Sequence, residues 1–356
     1  MQMSFYDLEN RYASLSEAGD PLERLNAVID WELFRPVLAR IDEKPRKSAA
    51  GRKPLDRVLM FKMLILQRLH NVADEKLQYL VTDRLSFMRF LGLDLASDVP
   101  DARTVWAFRE SLRKHGLIEP LFERLNEALL ALGVTLKSGQ IIDATFVPVP
   151  LQRNSREENA QIKAGEVPTA WVEQPRKLAQ KDVDARWTMK NAQYHYGYKS
   201  HINIDAQTKL ITASHCTPAQ VHDSGAFDRL LRKAEVGGVQ VWADSAYRSK
   251  DREAALRASG HTSQINELGR KDQPLSEAQK QSNHIKSKVR SRVEHVFGAI
   301  HNEMGGIFLR SIGLARAKAG VGLMNLAYNL KRIEVLIRQE ALGFPRIIAP
   351  QVVRQA

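Results

Sequence analysis

"GQIIDATFVPV", residues 139–149, is the stretch at which this 356-residue chain changes from a helical to a β-rich pattern. Its apolar side chains are bounded by Gly and Pro, which predicts a strand. Alternation along a strand puts Asp143 on one face with Ile141 and Thr145. Because an isolated buried carboxylate is costly, Asp143 inside this strand is the first candidate for a functional role.

Downstream of this strand, alternating and short apolar runs predict four more strands with helices between them. The predicted strands are 194–206, 210–219, 239–247 and 261–266, and the predicted helices are 223–234, 249–260 and a long one around Glu294. Three strands, then helix, strand, helix, strand, helix is the order of a ribonuclease-H-like α/β fold with a mixed five-stranded sheet. Residues 151–191 are polar and basic with little periodicity, so an insertion loop is predicted there.

Upstream, residues 1–138 are predicted to form an all-α N-terminal domain. The predicted helices are one at 24–41, a core helix at 55–69, two short ones within 73–93 and one at 101–116. Short helices with tight turns are compatible with a helix-turn-helix arrangement, and any small helical bundle gives a similar pattern. Residues 139–338 are predicted to be the ribonuclease-H-like domain, and residues 339–356 a C-terminal tail.

The charge of the chain points to a polyanionic partner. The net charge is +12, and nearly all of the excess lies in residues 139–356, which carry 32 Lys/Arg against 21 Asp/Glu. Basic clusters occupy 35–57, 151–199, 270–292 and 305–338. One such cluster would be an ordinary solvated face, but four in one chain favour binding to nucleic acid.

Composition also excludes several classes of protein. The single cysteine, Cys216, excludes an intramolecular disulfide and a cysteine-based zinc site, and it suits a reducing cytoplasm. The N-terminus lacks a signal-peptide pattern, and no window approaches the roughly 20 apolar residues of a membrane helix. We therefore expect a cytoplasmic, nucleoid-associated protein with no membrane partner.

Two further carboxylates are candidates to join Asp143. Asp244 ends the apolar run "VQVWAD", and Glu294 lies beside the apolar stripe of "RVEHVFGAIH". A first strand, a fourth strand and a late helix can converge in this fold, and oxygen-only ligands suit Mg²⁺ or Mn²⁺. Two such ions can clamp the attacking and leaving oxygens of a phosphoryl transfer.

Each carboxylate also has an ordinary structural interpretation. Asp143 can hydrogen-bond a turn, Asp244 can cap the next helix, and Glu294 can pair with Arg290 four residues earlier. His222 followed by Asp223 resembles a metal phosphohydrolase motif, but suitable histidines are missing, so Asp223 is interpreted as a helix N-cap. The segment "YHYGY", 194–198, is interpreted as a strand and core feature rather than a base-stacking platform.

Basic residues near the carboxylates are candidates for phosphate contacts. Arg290, Glu294 and His301 lie on one face of a continuous helix, so Arg290 and His301 are predicted to hold DNA phosphates. Lys199 and His201 share a face of the second strand. They are either further phosphate contacts or ordinary edge residues.

The chain resembles a DDE transposase of bacterial insertion sequence family five. The segments that carry the resemblance are "IIDATFVPVP", "DARWT", "YGYKSHINID", "TPAQVHDS", "ADSAYRS" and "RVEHVFG", in that order, with N-terminal segments such as "VPDARTVWAFRESL". The resemblance implies that Asp143, Asp244 and Glu294 are the catalytic, metal-binding triad.

The resemblance also includes a basic motif around the glutamate, in which Arg290 and Glu294 match. Ser287 stands at its tyrosine position and His301 at its lysine position, while Ala246 replaces a usual glycine. Histidine is mostly neutral at pH 7 whereas lysine is charged, so this departure weakens the expected phosphate contact.

The function implied by the resemblance is DNA transposition, with DNA-end recognition by the helical domain 1–138 and catalysis by the domain 139–338. Two Mg²⁺ or Mn²⁺ ions, double-stranded DNA with terminal inverted repeats, a target DNA and a homodimer or larger synaptic complex are expected. Two alternatives stay open. One is a transposase-derived DNA-binding protein with weak or no catalysis, and the other is a nuclease of the same fold without strand transfer.

Overall fold

The computed structural model describes residues 7–42, 55–134, 139–190, 192–233, 237–270 and 272–339. The chain forms two compact units: Met1–Leu132 with Leu326–Ala356, and Gly133–Asn325. The second boundary therefore lies inside the last helix. Most of the basic connector at 42–54 and most of the predicted tail lie outside the described residues.

The first unit is helical, as predicted. Its helices are α1 Asp7–Glu17, α2 Pro21–Val28, α3 Arg35–Leu38, α4 Arg57–Leu69, α5 Asp74–Asp83, α6 Leu85–Leu91, α7 Ala102–Lys114 and α8 Ile118–Ala131. The core helix is α4, on which Phe61, Leu64 and Ile65 are fully buried. The predicted caps are present: the Asp101 side chain accepts a hydrogen bond from the Thr104 N–H at the start of α7, and Gly92 ends α6 with φ 72°.

The single helix predicted at 24–41 was wrong. Helix α2 ends at Val28, Ile29 is extended, and Asp30 caps a 3₁₀ turn at Trp31–Phe34 by accepting a hydrogen bond from the Glu32 N–H. An aspartate side chain competes with the helix for backbone N–H groups, so Asp30 starts a new turn rather than continuing the old helix.

The second unit is built on a mixed sheet. Its strands among the described residues are β1 Gln140–Pro148, β2 Arg186–Lys190, β3 Gln193–Asp205, β4 Ile211–Pro218, β5 Val239–Trp242 and β6 His261–Ser263. The order is β2-β3-β1-β5-β6, with β4 also paired to β3. β1 is antiparallel to β3 and parallel to β5, and β6 is parallel to β5. The ribonuclease-H-like α/β prediction is confirmed, with six described strands in place of five.

The additional strand lies in the segment that was predicted to be a loop, so that prediction was wrong. Residues 151–191 contain α9 Arg156–Lys163, α10 Thr169–Val172, α11 Pro175–Leu178 and β2. Two of these helices have only four residues, too few to produce a periodic pattern. One local indication was present, because Ser155 and Glu158 form a capping box at the start of α9.

The helices of the second unit differ from prediction at two places. The segment 223–234 holds a 3₁₀ turn at Asp223–Ala226 and a short α12, Phe227–Leu230. Its cap is His222 and not Asp223, because the His222 side chain accepts the Ser224 N–H. The next helix, α13 Lys250–Ala258, is followed by Gly260 as predicted.

The long helix predicted around Glu294 is divided. Helix α14 spans Glu277–Arg290, α15 spans Arg292–Gly298, and a π-helical turn follows at Ala299–Glu303. At the break, the Ser291 hydroxyl donates to the Lys288 carbonyl, which is a hydrogen bond that often bends helices. The last helix, α16, spans Leu314–Arg338. None of the described helices combines the length and apolarity needed to cross a membrane.

Candidate active site

Asp143 lies near the middle of β1, and 13% of its side chain is exposed. One carboxylate oxygen accepts a hydrogen bond from the Ala144 N–H at 2.8 Å, and the other pairs with Nη1 of Arg290 at 2.6 Å. Burial raises the pKa of Asp143, and the nearby Glu294 carboxylate raises it further, against the lowering effect of Arg290. Asp143 and Glu294 are therefore close enough to interact electrostatically.

Asp244 follows the end of β5. In the parallel pairing of β1 and β5, Gln140 lies opposite Val241 and Ile141 opposite Trp242. Asp143 and Asp244 each lie two residues beyond the last paired positions, Ile141 and Trp242. The Asp244 carboxylate accepts the Ser245 N–H at 2.6 Å and so starts the 3₁₀ turn Ser245–Tyr247. The capping role and a ligand role are compatible, because a carboxylate has several lone pairs.

Glu294 lies on α15, whose apolar side packs through the fully buried Val293 and Val296. The glutamate itself is exposed. The helix contacts β1, the strand that carries Asp143. The Glu294 carboxylate therefore lies beside the sheet and stays in contact with water. A charged residue next to an apolar stripe is compatible with packing because only the apolar side of the helix is buried.

The donor chemistry of these three residues fits a hard divalent cation, since every candidate ligand is a carboxylate oxygen. The side chains of these three residues are not arranged as a metal-binding group in this structure. Within the described parts of the chain, no group of three or more His, Cys, Asp or Glu side chains is close enough to hold a metal ion. Arg290 instead supplies the positive charge next to Asp143.

The sequence patterns did not identify one residue near this site, Tyr247. The Tyr247 hydroxyl is buried and finds no hydrogen-bond partner among the described residues. Burial raises its pKa, and the charges of Asp143, Asp223 and Asp244 add to the effect. Tyr247 is therefore a neutral hydroxyl beside several carboxylates. Its position three residues after Asp244, in "ADSAYRS", was the available indication.

The prediction that Arg290, Glu294 and His301 lie on one face of a helix required that helix to be continuous. The break at Ser291 and the π-helical turn at Ala299–Glu303 remove that condition. Arg290 pairs with Asp143, and His301 lies exposed in the π-helical turn. Both phosphate contacts stay predictions, while the geometric reason given for them was wrong.

Lys199 and His201 are not available for phosphate in this structure. Lys199 Nζ donates to Asp223 at 2.7 Å and to the Val221 carbonyl at 2.9 Å. His201 is fully buried, its Nε2 lies 2.8 Å from the Thr217 hydroxyl, and burial lowers its pKa to about 4. The proposed phosphate contacts of these two residues are therefore corrected to an internal ion pair and a neutral core histidine.

The register explains this correction. Ile202 lies opposite Asp143, and His201 lies opposite Ala144. Because directly opposed residues share a face, Lys199 and His201 face away from the side of the sheet that carries Asp143.

Comparison with known proteins gives concordant matches in both parts of the chain. A family model described as "Transposase DDE domain" matches residues 135–330, and one described as "Transposase domain (DUF772)" matches residues 9–111. Among solved structures, the chain is similar to a cryo-EM structure of a piggyBac transposase synaptic complex with hairpin DNA, with 11% identity and a TM-score of 0.47, over 92% of this chain and 77% of that one. Because the first model covers more than half of the sequence, the chain belongs to the DDE transposase family.

Proposed function

We propose that this chain is the transposase of a bacterial insertion sequence of family five, acting on DNA in the cytoplasm. It binds the terminal inverted repeats of the element and catalyses metal-dependent strand cleavage followed by strand transfer. The observation that supports the proposal is the parallel pairing of β1 with β5, in which Ile141 lies opposite Trp242, while Asp143 and Asp244 each follow two residues further along the chain. Glu294 is supported as the third carboxylate because its charge contributes to the raised pKa of Asp143.

In this proposal Asp143, Asp244 and Glu294 hold one or two Mg²⁺ or Mn²⁺ ions. When bound, such ions polarise the scissile phosphate and lower the pKa of an attacking water. The contribution of Arg290 is to neutralise Asp143 before DNA arrives. Its guanidinium can exchange a carboxylate for a phosphate oxygen, since it binds both with the same planar geometry.

The helical first unit recognises the DNA ends, and the basic second unit supplies contacts to the backbone. Base recognition needs a shaped element that enters a groove, whereas phosphate contacts need mainly positive charge. Both ends of the element must be held at once, so a homodimer or larger synaptic assembly is part of the proposal.

The test uses the full chain and a DNA duplex that carries the inverted repeat bracketing its gene. Cleavage and joining are followed on gels with Mg²⁺, with Mn²⁺ and with a chelator. Asp143→Asn, Asp244→Asn and Glu294→Gln each lower the cleavage rate by at least ~1000-fold, because each removes a ligand of the ions that stabilise the transition state. DNA binding persists in all three, since losing a carboxylate reduces repulsion of phosphate.

The matched control is Asp251→Asn, which removes an exposed carboxylate on α13 of the same unit. It leaves cleavage unchanged. Cleavage at the wild-type rate by any of the three site variants would remove that residue from the proposed site.

One observation favours an alternative, a transposase-derived DNA-binding protein with weak or no catalysis. Arg290 forms an ion pair with Asp143, and among the described residues no three candidate ligands lie close enough together to hold a metal ion. The same assay separates the possibilities: binding without cleavage supports the alternative, cleavage without joining indicates a nuclease, and cleavage with joining supports the transposase.

A further inference from the structure

The hairpin of β2 and β3 carries large side chains on a face that is open to solvent. In its register Trp187 lies opposite Tyr196, and Met189 lies opposite Tyr194. Directly opposed residues and those two apart share a face, so these four form one continuous surface, here called the hairpin face. Trp187 is 50% exposed, Met189 61% and Tyr194 73%. Exposed apolar side chains gathered in one patch mark a binding surface more often than scattered ones do.

A cavity of about 260 Å³ lies against this face. Trp187, Tyr194 and Tyr196 line one part of it, and Asn159 and Gln220 line another. Aromatic rings offer flat surfaces for stacking, while the amide side chains offer both hydrogen-bond donors and acceptors. A flat, polar-edged aromatic ligand such as a nucleobase matches this combination.

The cavity beside the hairpin face has basic side chains in its lining. Lys163 and Arg186 line it, together with the carboxylate of Asp182. Aromatic rings for stacking beside basic side chains are the features with which proteins hold single-stranded nucleic acid. Tyr, Trp and Met side chains are also enriched at protein interfaces, so the experiment below separates nucleic acid from a second copy of this chain.

The hairpin face lies on the same side of the sheet as the proposed active site. Alternation along β3 puts Tyr194, Tyr196 and Ile202 on one face, and Ile202 lies opposite Asp143. Six residues separate Tyr196 from Ile202, a distance of ~20 Å along the strand. That is the rise of roughly six stacked nucleotides. A strand whose phosphate lies at Asp143 therefore reaches the hairpin face after roughly six nucleotides.

We infer that the hairpin face binds unpaired nucleobases of the DNA strand that is processed at Asp143, Asp244 and Glu294. Trp187 and Tyr194 stack on the bases. The cavity accepts one base, whose edge forms hydrogen bonds with the side chains of Asn159 and Gln220. This inference rests on the proposed function and names the form of DNA that the site takes: an end at which the strands are separated. It also revises the interpretation of "YHYGY" for Tyr194, the most exposed of the large hydrophobic side chains described, while Tyr198 in the same segment is fully buried as that interpretation expected.

The experiment measures binding of the full chain, without metal, to two labelled DNAs. One is a blunt duplex, and the other is the same duplex with a single-stranded oligothymidine overhang. Trp187→Ala and Tyr194→Ala each weaken binding of the overhang DNA by roughly 5- to 150-fold, the range for loss of one stacking ring. Binding of the blunt duplex is unchanged. Trp187→Phe and Tyr194→Phe retain most of the affinity because they keep a ring.

The matched control is Val172→Ala, which trims another exposed apolar side chain, 57% exposed, within the same inserted segment. It leaves both affinities unchanged. A second measurement needs no variant: 2-aminopurine placed in the overhang loses fluorescence when wild-type protein stacks on it.

Several results would overturn the inference. These are an absence of quenching, equal losses on blunt and overhang DNA, or a change of oligomeric state in Trp187→Ala with overhang binding intact, which would assign the face to a contact between copies. Failure of the proposed function is distinguishable, since a wild-type chain that binds neither DNA contradicts that proposal first.

Discussion

The two faces of the sheet in the second unit carry polar residues for different reasons. Asp143 and His201 lie on neighbouring strands, one register step apart. Asp143 is partly exposed, pairs with Arg290 and interacts with Glu294. His201 is fully buried and bonds to Thr217. A polar residue within an apolar strand is therefore a candidate site residue on one face and part of the core on the other.

The face that carries His201 holds an internal polar network. Lys199 pairs with Asp223, and Asn203 donates to Gln140 and to the Leu230 carbonyl. These bonds tie β3 to β1, to the 3₁₀ turn before α12 and to the end of α12. Buried polar groups are stable only when they are paired, so this face contributes to folding and not to substrate contact.

The largest expected difference between the two faces is in how substitutions change the free energy of unfolding. Asp223→Ala leaves the Lys199 ammonium buried without its carboxylate, and we expect a loss of roughly 3–5 kcal/mol in the free energy of unfolding. On the other face, Asp143→Asn should not lower stability, because burial already disfavours the charged form of Asp143. Urea unfolding monitored by circular dichroism measures both.

The control for that comparison is Asp228→Ala, an exposed carboxylate on α12, for which a change within about 0.5 kcal/mol is expected. Equal losses for Asp223→Ala and Asp143→Asn would break the distinction between the faces.

The next effect is a pH dependence from His201. Its pKa in the folded chain is about 4 because of burial, whereas an unfolded histidine titrates near 6.5. Below pH 6.5 the unfolded state therefore binds a proton that the folded state does not, and stability falls as the pH drops towards 4. The expected loss by pH 4 is about 3 kcal/mol. His201→Gln removes this loss, which urea unfolding at a series of pH values measures.

An exposed histidine provides the comparison for this pH series. His284→Gln, on α14, leaves the wild-type pH profile unchanged. If wild type and His201→Gln give parallel profiles between pH 7 and pH 4, the histidine is not held neutral in the core.

The smallest expected effect concerns His301, which was predicted to contact a DNA phosphate. His301→Lys adds a permanent charge at an exposed position in the π-helical turn. If this turn meets a phosphate, the slope of log affinity against log salt steepens by ~0.9, the value for one additional phosphate contact. Binding isotherms over a salt series measure the slope. His284→Lys adds the same charge on α14, and an equal change there would indicate bulk charge and not a contact at His301.

Much of the fold could be predicted because its indications are local. Alternation predicted β1, β3 and β4, the apolar run predicted α4, and the cap at Asp101 predicted the start of α7. The division at Ser291 could not be predicted in this way, since a serine inside a helical pattern bends some helices and not others. The four-residue helices of the inserted segment were missed because they are shorter than the periods used to find them.

The sequence nominated the residues of the candidate site but not their arrangement. Asp143 was selected as a carboxylate inside an apolar strand, Asp244 as one at a strand end and Glu294 as one beside an apolar helix stripe, and all three by resemblance to a family. That Arg290 pairs with Asp143, and that the Tyr247 hydroxyl lies beside these carboxylates, depends on contacts between residues far apart in the chain. Side-chain partners of this kind leave no periodic trace in the sequence.

The sequence by itself determined the helical first part, the alternating strands of the second part and the basic charge, because propensity, period and composition are properties of neighbouring residues. It also nominated Asp143, Asp244 and Glu294 as a carboxylate set, which stays a prediction. Only the tertiary structure decided which side of the sheet each polar residue takes and how much of it water reaches. Lys199 and His201 are turned inward by pairing across β1 and β4, while Trp187 and Tyr194 are left outward at the sheet edge. Burial is set by strand register and by what packs above the sheet, and a one-residue shift of register would exchange the two faces.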